Sequence, residues 1–282
     1  MLVTGDEGFV RTPDGFDLHW RGSAPPLPRA VLVLVQGLAE HTGRYAHVLT
    51  FCAEQAFAAY AFDLRGQGRS AGLAGHVDSF DDYLLDLGAV REHAARRHPG
   101  VPLFLVGHSM GGLVALRYAQ AGADGLRGLV LSSPLLGIAK ASRPSPGRAA
   151  LGRLASSFFP RLRLATHVDP AHLSRDPSVG EAYARDPLVG RKVSARWFKS
   201  AAKAMADAHS AARALPLPTL VMAAGEDLLA DTEATARFVA GAPRDRVDFQ
   251  VWDGLYHELF NAPEKGAVLG RMRAWIEARL AP

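Results

Sequence analysis

The stretch that decides the fold is residues 103–113, which read LFLVGHSMGGL. Residues 103–106 have the composition of a buried strand, and the pattern G-x-S-x-G follows directly, with Ser109 at its centre. Leu113 and Leu116 then recur at helical spacing. A strained strand-to-helix turn lifts a serine hydroxyl into solvent, and its glycines permit close chain approach. The stretch predicts that Ser109 is a nucleophile. An ordinary glycine-rich turn is the alternative.

Length and composition bound the kind of protein. The chain has 282 residues, 48% of them hydrophobic and 21% charged, which is an ordinary globular balance. Its net charge of +4 comes without a basic run interleaved with aromatics, so nucleic-acid binding is not expected. No stretch approaches the roughly 20 apolar residues of a membrane span, and residues 1–11 show no secretory signal. The lone cysteine, Cys52, allows no internal disulfide and fits a reducing cytoplasm.

Short apolar runs alternate with helical stretches along most of the chain. Runs without polar–apolar alternation are typical of strands buried on both faces of a parallel sheet, and they occupy residues 30–35, 58–62, 103–106 and 126–131. Two more strands are predicted late in the chain, at residues 219–224 and 247–252. Residues 80–98 have helical spacing, and a last helix is predicted to begin near Pro263. Residues 9–20 predict a β-hairpin with an Asp-Gly turn. The pattern predicts a mostly parallel, doubly wound α/β sheet with an N-terminal antiparallel hairpin.

One long segment, residues 135–215, breaks this alternation. It shows no strand-like run, is rich in alanine, arginine, serine and proline, and has helix-like pieces at residues 148–159 and 193–215. We interpret it as a helical cap inserted into a single domain, whose core comprises residues 1–134 and 216–282.

The cap is predicted to carry a basic and apolar surface. Residues 125–168 contain no acidic residue, and they include Lys140, Arg143, Arg148, Arg153, Arg161 and Arg163 beside Leu151, Leu154, Phe158 and Phe159. A basic helix with an apolar face suits docking on an anionic lipid surface. The alternative, of equal weight, is a helix that packs its apolar face on the core and leaves its arginines in solvent.

A serine nucleophile needs a histidine to take its proton and a carboxylate to orient that histidine. With a turn of this type, the chain order is Ser, then Asp or Glu, then His. Of the four histidines after Ser109, three lie in the predicted cap, namely His167, His172 and His209. His257 alone lies just beyond a predicted strand, where parallel sheets collect catalytic groups, so it is the predicted base.

Three carboxylates compete for the role of the acid, because Glu226, Asp227 and Asp231 all follow the predicted strand at residues 219–224. Asp231 precedes a helical run, and a helix N-cap explains it better. Asp227 is the predicted acid, with Glu226 as its competitor. The tetrahedral intermediate further needs two backbone amides. One is predicted to be that of Met110, and the other to come from the loop after residues 30–35.

Several stretches together resemble the monoacylglycerol lipases. Residues 37–45, GLAEHTGRY, are similar to that family's loop H-G-x-x-E-H-S-x-R-Y. Residues 63–70, DLRGQGRS, are similar to its D-x-R-G-H-G-x-S stretch, and residues 107–112 match its G-H-S-M-G-G. Shorter matches follow in the family's order: SSPL at 132–135, YARDPL at 183–188 and YH at 256–257. The resemblance covers nearly the whole chain and implies an α/β-hydrolase fold.

The resemblance also implies roles for single residues. The triad would be Ser109, Asp227 and His257, and the oxyanion amides would come from Leu38 and Met110. At the glycerol end of the substrate it implies three residues, Glu40, Arg44 and Tyr183. A surface ion pair is the alternative for Glu40 and Arg44.

Two departures from the family bear on the active site, and two other residues are predicted to be structural. Gln36 replaces the usual histidine before Gly37, and Phe260 stands where some members carry a second histidine near the glycerol. Asp63 and Arg65 are expected to hold the loop after their strand.

The leading functional hypothesis is hydrolysis of monoacylglycerols or similar single-chain lipid esters through an acyl-enzyme, without cofactor or metal. A lysophospholipase or a broad carboxylesterase would share every catalytic residue. A non-catalytic binding protein of the same fold is disfavoured because both Ser109 and His257 are present, and an epoxide or haloalkane hydrolase needs aspartate at the turn. The expected partner is a lipid ester, with transient membrane or micelle contact through the cap of a cytoplasmic protein.

Overall fold

An eight-stranded sheet forms the centre of the protein, for which the computed structural model describes residues 4–143, 145, 147, 155–166 and 168–280. Its strands are β1 (Thr4–Arg11), β2 (Asp17–Ala24), β3 (Ala30–Val35), β4 (Phe57–Phe62), β5 (Leu103–His108), β6 (Leu126–Ser132), β9 (Thr219–Ala224) and β10 (Val247–Trp252). They are ordered β1-β2-β4-β3-β5-β6-β9-β10. The pairs β1–β2 and β2–β4 are antiparallel, and the remaining pairs are parallel. The predicted mostly parallel sheet with an antiparallel N-terminal hairpin is confirmed.

Helices cover both faces of the sheet. They are α1 (Ala46–Glu54), α2 (Asp82–Arg97), α3 (Met110–Ala121), α4 (Pro177–Arg185), α5 (Ala195–Ser210), α6 (Thr232–Gly241) and α7 (Lys265–Glu277). Short 3-10 helices lie at Thr42–Tyr45, Lys140–Ser142, Pro170–His172, Ala212–Ala214 and Leu259–Asn261. None of the helices within the described ranges is long and apolar enough to cross a membrane.

Alternate side chains of β3 point to opposite layers, which explains why its sequence is apolar throughout. Val31, Val33 and Val35 pack in one hydrophobic cluster with α2 and α3. Leu32 and Leu34 pack in the other cluster with α1 and α7. Because all six residues of β3 are buried, no polar position interrupts the run.

The segment between β6 and β9 contains α4 and α5 and a second, smaller sheet. Strands β7 (Arg163–Ala165) and β8 (Lys192–Ser194) pair antiparallel. The expectation that residues 135–215 form no strand is therefore wrong. Both strands have only three residues, and each begins with a basic side chain, so neither shows a readable period. Of the helix predicted at residues 148–159, residues 148–154 lie outside the described part of the chain and residues 155–158 are helical.

Helix α5 packs directly on the sheet's helical layer. Trp197, Ala201, Ala204 and Ala208 are buried in the same cluster as α2 and α3. Their spacing of four, three and four residues places them on one helix face, and the small alanines permit a close approach. Ser194 begins the helix, because its side chain accepts a hydrogen bond from the Trp197 amide at 3.1 Å.

Phe158 and Phe159 are exposed to solvent, unlike the buried face of α5. They are 70% and 68% exposed, so the alternative in which these phenylalanines pack on the core is wrong. Leu151 and Leu154, which were predicted to share their surface, lie outside the described residues.

Candidate active site

Ser109 lies at the sharp turn between β5 and α3. Its φ of 52° and ψ of −118° fall in a region that side chains other than glycine rarely adopt. A Cβ at Gly107 would lie 2.4 Å from the carbonyl oxygen of Gly111, and one at Gly111 would lie 2.1 Å from that of Val35. Both positions therefore require glycine, and the turn presents the half-buried Ser109 beyond the carboxyl end of β5.

Ser109, His257 and Asp227 are brought together in a hydrogen-bonded line. The Nε2 atom of His257 lies 2.9 Å from Ser109 Oγ, and its Nδ1 atom lies 2.7 Å from Asp227 Oδ2. The other carboxylate oxygen of Asp227 accepts hydrogen bonds from the amides of Leu229 and Ala230, both at 2.8 Å. Because a carboxylate can only accept, it places the ring proton on Nδ1 and leaves Nε2 to take the serine proton.

Neither of the two competing acids contacts His257. Asp231 caps α6, because its Oδ1 accepts a hydrogen bond from the Ala234 amide at 3.1 Å, and its Oδ2 pairs with Arg143 at 2.7 Å. Glu226 is exposed to solvent. Of the three carboxylates, Asp227 is the one that contacts His257.

Burial and charge act in opposite directions on the two histidines beside Ser109. Burial of His257 opposes protonation, but the Asp227 carboxylate outweighs it, so the pKa of His257 is raised. Burial lowers the pKa of His108 to about 4, so this histidine is neutral at physiological pH. The two rings lie 4.9 Å apart, and a neutral His108 leaves the charge of His257 under the control of Asp227.

Two backbone amides next to Ser109 are free to bind an oxyanion. The Met110 amide begins α3, where helical amides have no partner in the helix. The Leu38 amide lies in the loop after β3, and a Cβ at the adjoining Gly37 would lie 3.3 Å from Ser109 Cβ. Within the described residues, neither amide donates a hydrogen bond. Both amides are therefore available as donors, and their role as the oxyanion hole stays a prediction.

Glu40, Arg44 and Glu258 form a buried acid–arginine cluster. Arg44 Nε donates to Glu40 Oε1 at 3.2 Å, and Arg44 Nη2 contacts both Glu258 oxygens at 2.6 and 2.7 Å. The Arg44 guanidinium also lies 5.0 Å from the centroid of the Tyr183 ring. Since Arg44 is 9% exposed and Glu40 4%, the alternative of a surface ion pair is wrong.

The two carboxylates of the cluster have opposite pKa shifts. Burial opposes the ionisation of Glu40, but the Arg44 charge and hydrogen bonds from the Tyr45 hydroxyl and the Gly37 amide outweigh it and lower the pKa. Burial raises the pKa of Glu258, and the neighbouring Glu40 charge adds to this effect. Sequence reasoning missed Glu258, although an acid directly after the predicted base and before the apolar pair Leu259-Phe260 is a usable signal.

Asp63 and Arg65 hold the loop after β4, as the sequence predicts. Asp63 accepts hydrogen bonds from the amides of Thr42 at 2.6 Å and Arg69 at 2.8 Å. Arg65 pairs with the buried Asp86 at 2.7 Å. Phe260, at the second position of departure from the family, is 2% exposed and packs in the layer with α7.

A histidine–aspartate pair joins the loop after β3 to residues 135–215. His41 Nε2 lies 2.7 Å from Asp186 Oδ2, just beyond the end of α4. The Glu258 amide likewise donates to the carbonyl oxygen of Leu173 at 2.8 Å. The loops on which Leu38 and His257 lie are thus both anchored to residues 135–215.

Comparison with known proteins identifies the family of this chain. The family model described as serine aminopeptidase, S33, matches residues 26–264. Phospholipase YtpA of Bacillus subtilis is 34% identical over 89% of this chain and 96% of its own, and a monoacylglycerol lipase of Mycolicibacterium smegmatis is 33% identical over 90% of each. The crystal structure of a Paleococcus ferrophilus monoacylglycerol lipase superposes with a TM-score of 0.81 at 29% identity, over 99% of this chain and 100% of its own. The chain belongs to the S33 serine aminopeptidase family of serine hydrolases, and its fold is that of the α/β-hydrolases.

Proposed function

We propose that this protein hydrolyses monoacylglycerols to a fatty acid and glycerol through an acyl-enzyme intermediate. The observation that carries the proposal is the hydrogen-bonded line of Ser109, His257 and Asp227, set beside two unpaired backbone amides. The relatives from Mycolicibacterium smegmatis and Paleococcus ferrophilus, both named monoacylglycerol lipases, support the choice of substrate.

The proposed reaction proceeds in two balanced steps. Ser109 Oγ attacks the ester carbonyl carbon while His257 Nε2 takes the hydroxyl proton, and the amides of Leu38 and Met110 bind the oxyanion. The tetrahedral intermediate collapses, the bond to the glycerol oxygen breaks, and His257 delivers its proton to that oxygen. Water then attacks the acyl-enzyme with His257 again as base, which releases the fatty acid and regenerates Ser109. No cofactor or metal enters either step.

The acid–arginine cluster favours a neutral headgroup. Glu40, Arg44 and Tyr183 are the residues that we propose at the glycerol end of the substrate. Arg44 is already paired with Glu40 and Glu258, so it offers no free positive charge to a phosphate group. A phosphate placed there would meet two carboxylates, whereas glycerol hydroxyls can donate to the carboxylates without an added charge.

A lysophospholipid is the second candidate substrate. The relative from Bacillus subtilis is named a phospholipase, and it has the highest identity of the relatives compared above. A broad carboxylesterase would use the same triad and differ only in the acyl and headgroup sites.

Matched substrates separate these candidates. We would measure fatty acid release from 1-oleoylglycerol, 1-oleoyl-lysophosphatidylcholine and 4-nitrophenyl butyrate, with Ser109→Ala as the control for background hydrolysis. We expect kcat/KM for oleoylglycerol to exceed that for the lysophospholipid by at least about tenfold, which corresponds to roughly 1.4 kcal/mol. A preference for the lysophospholipid would contradict the proposed headgroup, and activity on the nitrophenyl ester alone would point to a carboxylesterase.

The inserted segment is proposed to work as a cap on a single domain and to contact lipid. Its cap patch, which we define as Phe158, Phe159 and Leu162, exposes 70%, 68% and 49% of these apolar side chains. The exposed Arg161 and Arg163 flank it. Apolar side chains beside arginines suit insertion at an anionic lipid interface. A cytoplasmic protein with such a patch would visit a membrane or micelle surface only transiently.

A further inference from the structure

The loop that holds the Leu38 amide is fixed almost entirely by side chains. We call residues 36–40 the oxyanion turn. Gly37 donates its amide to Glu40 Oε2 at 2.7 Å, Ala39 donates its amide to Gln67 Oε1 at 2.8 Å, and the Glu40 carbonyl accepts from Gln36 Nε2 at 2.9 Å. The turn needs this support because Ala39 has a φ of 61°, which costs free energy for any residue with a Cβ.

We propose that Gln36 and Gln67 are positioning residues that aim the Leu38 amide at the oxyanion. Gln67 holds the backbone directly after Leu38, and Gln36 holds the end of the same turn. The bound amides of Gly37 and Ala39 fix the chain on either side of Leu38, whose own amide donates no hydrogen bond within the described residues. This inference rests on the proposed hydrolytic mechanism.

The unpaired ends of both glutamines argue against a role in packing alone. Gln36 is 2% exposed and Gln67 6%. Within the described residues, Gln36 Oε1 and Gln67 Nε2 have no hydrogen-bond partner. A buried unpaired amide atom is unfavourable, so an apolar side chain would serve packing better. The other amide atom of each glutamine, Gln36 Nε2 or Gln67 Oε1, hydrogen-bonds to the oxyanion turn. An apolar side chain could not make that bond.

The backbone partners also determine which way each amide faces. A backbone N–H can only donate, so the atom of Gln67 that meets Ala39 must be oxygen. A carbonyl can only accept, so the atom of Gln36 that meets Glu40 must be nitrogen. The two glutamines thus perform opposite tasks on one turn, and neither task can be inverted by rotating the amide.

Both glutamines stand at positions that are histidine in the motifs H-G-x-x-E-H-S-x-R-Y and D-x-R-G-H-G-x-S. A histidine ring accepts a hydrogen bond only through an unprotonated nitrogen, whereas an amide oxygen accepts at any working pH. The titratable groups around the turn are Glu40, His41, Arg44, Tyr45, Asp63, His108 and, beyond His108, His257. None of them makes the bond to the Ala39 amide, so that support does not depend on pH.

Gln67→Met is the first test, because methionine keeps the length of the side chain and removes the acceptor. We would measure kcat, KM and the inhibition constant of a trifluoromethyl ketone, whose adduct with Ser109 carries an oxyanion. We expect kcat to fall roughly ten- to a hundredfold and the inhibition constant to rise by a similar factor, with KM changed less than about twofold. Gln250→Met, on the edge strand β10, is the matched control and should change none of the three.

Gln67→His is the second test, and its pH profile separates positioning from structure. A neutral imidazole can accept from Ala39, so we expect kcat near the wild-type value at pH 8. As the pH falls, protonation of the ring should remove the acceptor and add a second acid limb that the wild type lacks. Gln36→Met provides the same kinetic comparison from the other end of the turn, should Gln67→Met fail to fold.

The outcomes distinguish this inference from the proposed function. If the wild-type protein cleaves none of the esters above, the proposed hydrolytic function is wrong. An active wild type whose Gln67→Met variant keeps its kcat and ketone affinity, even with a lower thermal midpoint, would show that Gln67 only stabilises the fold. A Gln67→His profile that superposes on the wild type would overturn the inference as well.

Discussion

Ser109 combines a strained backbone with a fully assembled hydrogen-bond relay. Its positive φ is imposed by the close approach of Gly107 and Gly111, and its hydroxyl meets His257 at 2.9 Å. The strain is therefore supported by the surrounding chain and not by the hydroxyl. Removing the hydroxyl should affect the chemistry and leave the fold intact.

Ser109→Ala is expected to lower kcat by at least about 10⁴-fold, because only binding and the oxyanion amides would remain. Alanine has the same backbone preferences at this φ, so the thermal midpoint should stay within about 2 °C of the wild type. Initial rates on oleoylglycerol and a thermal melt of the same preparation test both statements. Turnover above about a hundredth of the wild-type value would remove Ser109 from the mechanism.

Asp227→Asn and Asp231→Asn form a matched pair that tests the assignment of the acid. Asparagine at 227 can present its amide group to His257 Nδ1 and favour the wrong tautomer, so kcat should fall by about 10⁴-fold. Asparagine at 231 can still cap α6, so kcat should change little. If Asp231→Asn proves the more damaging substitution, the acid has been misassigned.

The raised pKa of His257 makes a directional prediction for the pH profile. Hydrolysis needs the neutral ring as base, and Asp227 keeps the ring protonated to higher pH than usual. The acid limb of kcat/KM should therefore have its midpoint above about 6.5, the ordinary histidine value. In Asp227→Asn, burial acts without the carboxylate, so the midpoint should move down. A wild-type midpoint below the ordinary value would contradict this account of the site.

The sequence predicts the reacting groups better than the residues that support them. Ser109 and His257 follow strands in a known chain order, so local pattern and topology suffice to find them. Glu258 and Gln67 act through partners far along the chain, at Arg44 and Ala39. Nothing in their immediate neighbours reveals those partners, because burial and hydrogen bonding there are set by tertiary structure.

At the scale of elements, burial on both faces decides what could be predicted. Strands β3 and β9 occupy the predicted residues, since apolar runs bounded by turns are unambiguous in a parallel sheet. Strand β10 also occupies the predicted residues, although its place at the edge of the sheet leaves Phe249 and Val251 partly exposed. Strands β7 and β8 were missed because three residues cannot show a period and their pairing joins distant parts of the chain. The hydrogen bonds between them, and not their composition, define them as strands.

The exposed cap patch allows us to predict how the protein acts on substrate in micelles. Phe158→Ser and Phe159→Ser together should weaken hydrolysis of micellar long-chain monoacylglycerol about tenfold or more, because apolar area that enters lipid is lost. Hydrolysis of soluble 4-nitrophenyl butyrate should survive, because the triad lies on other loops.

The quantity to measure is the ratio of activity on micellar monoacylglycerol to activity on 4-nitrophenyl butyrate, in one preparation of each variant. Phe249→Ser, at a partly exposed apolar position on β10, is the control and should leave the ratio unchanged. An unchanged ratio in the double variant would mean that these phenylalanines neither dock the protein nor admit the acyl chain.

At the scale of the whole molecule, the sheet and the inserted segment share one hydrophobic cluster. Trp197, Ala201 and Ala204 of α5 lie in it together with Tyr83 of α2 and Leu113 of α3. A helix that buries its apolar face in this cluster cannot leave without exposing α2 and α3 to water. We therefore expect residues 135–215 to unfold with the core, as one domain.

Ala204→Asp and Ala202→Asp test this expectation on the same helix. Ala204 is 4% exposed and Ala202 lies on the exposed face of α5. An unpaired buried charge at 204 should lower the free energy of unfolding by about 3–5 kcal/mol, whereas the charge at 202 should change it by less than about 0.5 kcal/mol. Urea melts followed by far-ultraviolet circular dichroism and by tryptophan fluorescence would give the midpoints.

If the segment and the core form one cooperative unit, both probes should shift together in Ala204→Asp, and the labelling of Ser109 by a fluorophosphonate should be lost over the same urea range. Two separated transitions, with the circular dichroism midpoint of the sheet unchanged, would instead make residues 135–215 an independent unit. Coincidence of the three signals would also bear on turnover. Separation of α5 from α2 and α3 would expose the cluster that they share, so we expect substrate to enter by a smaller motion.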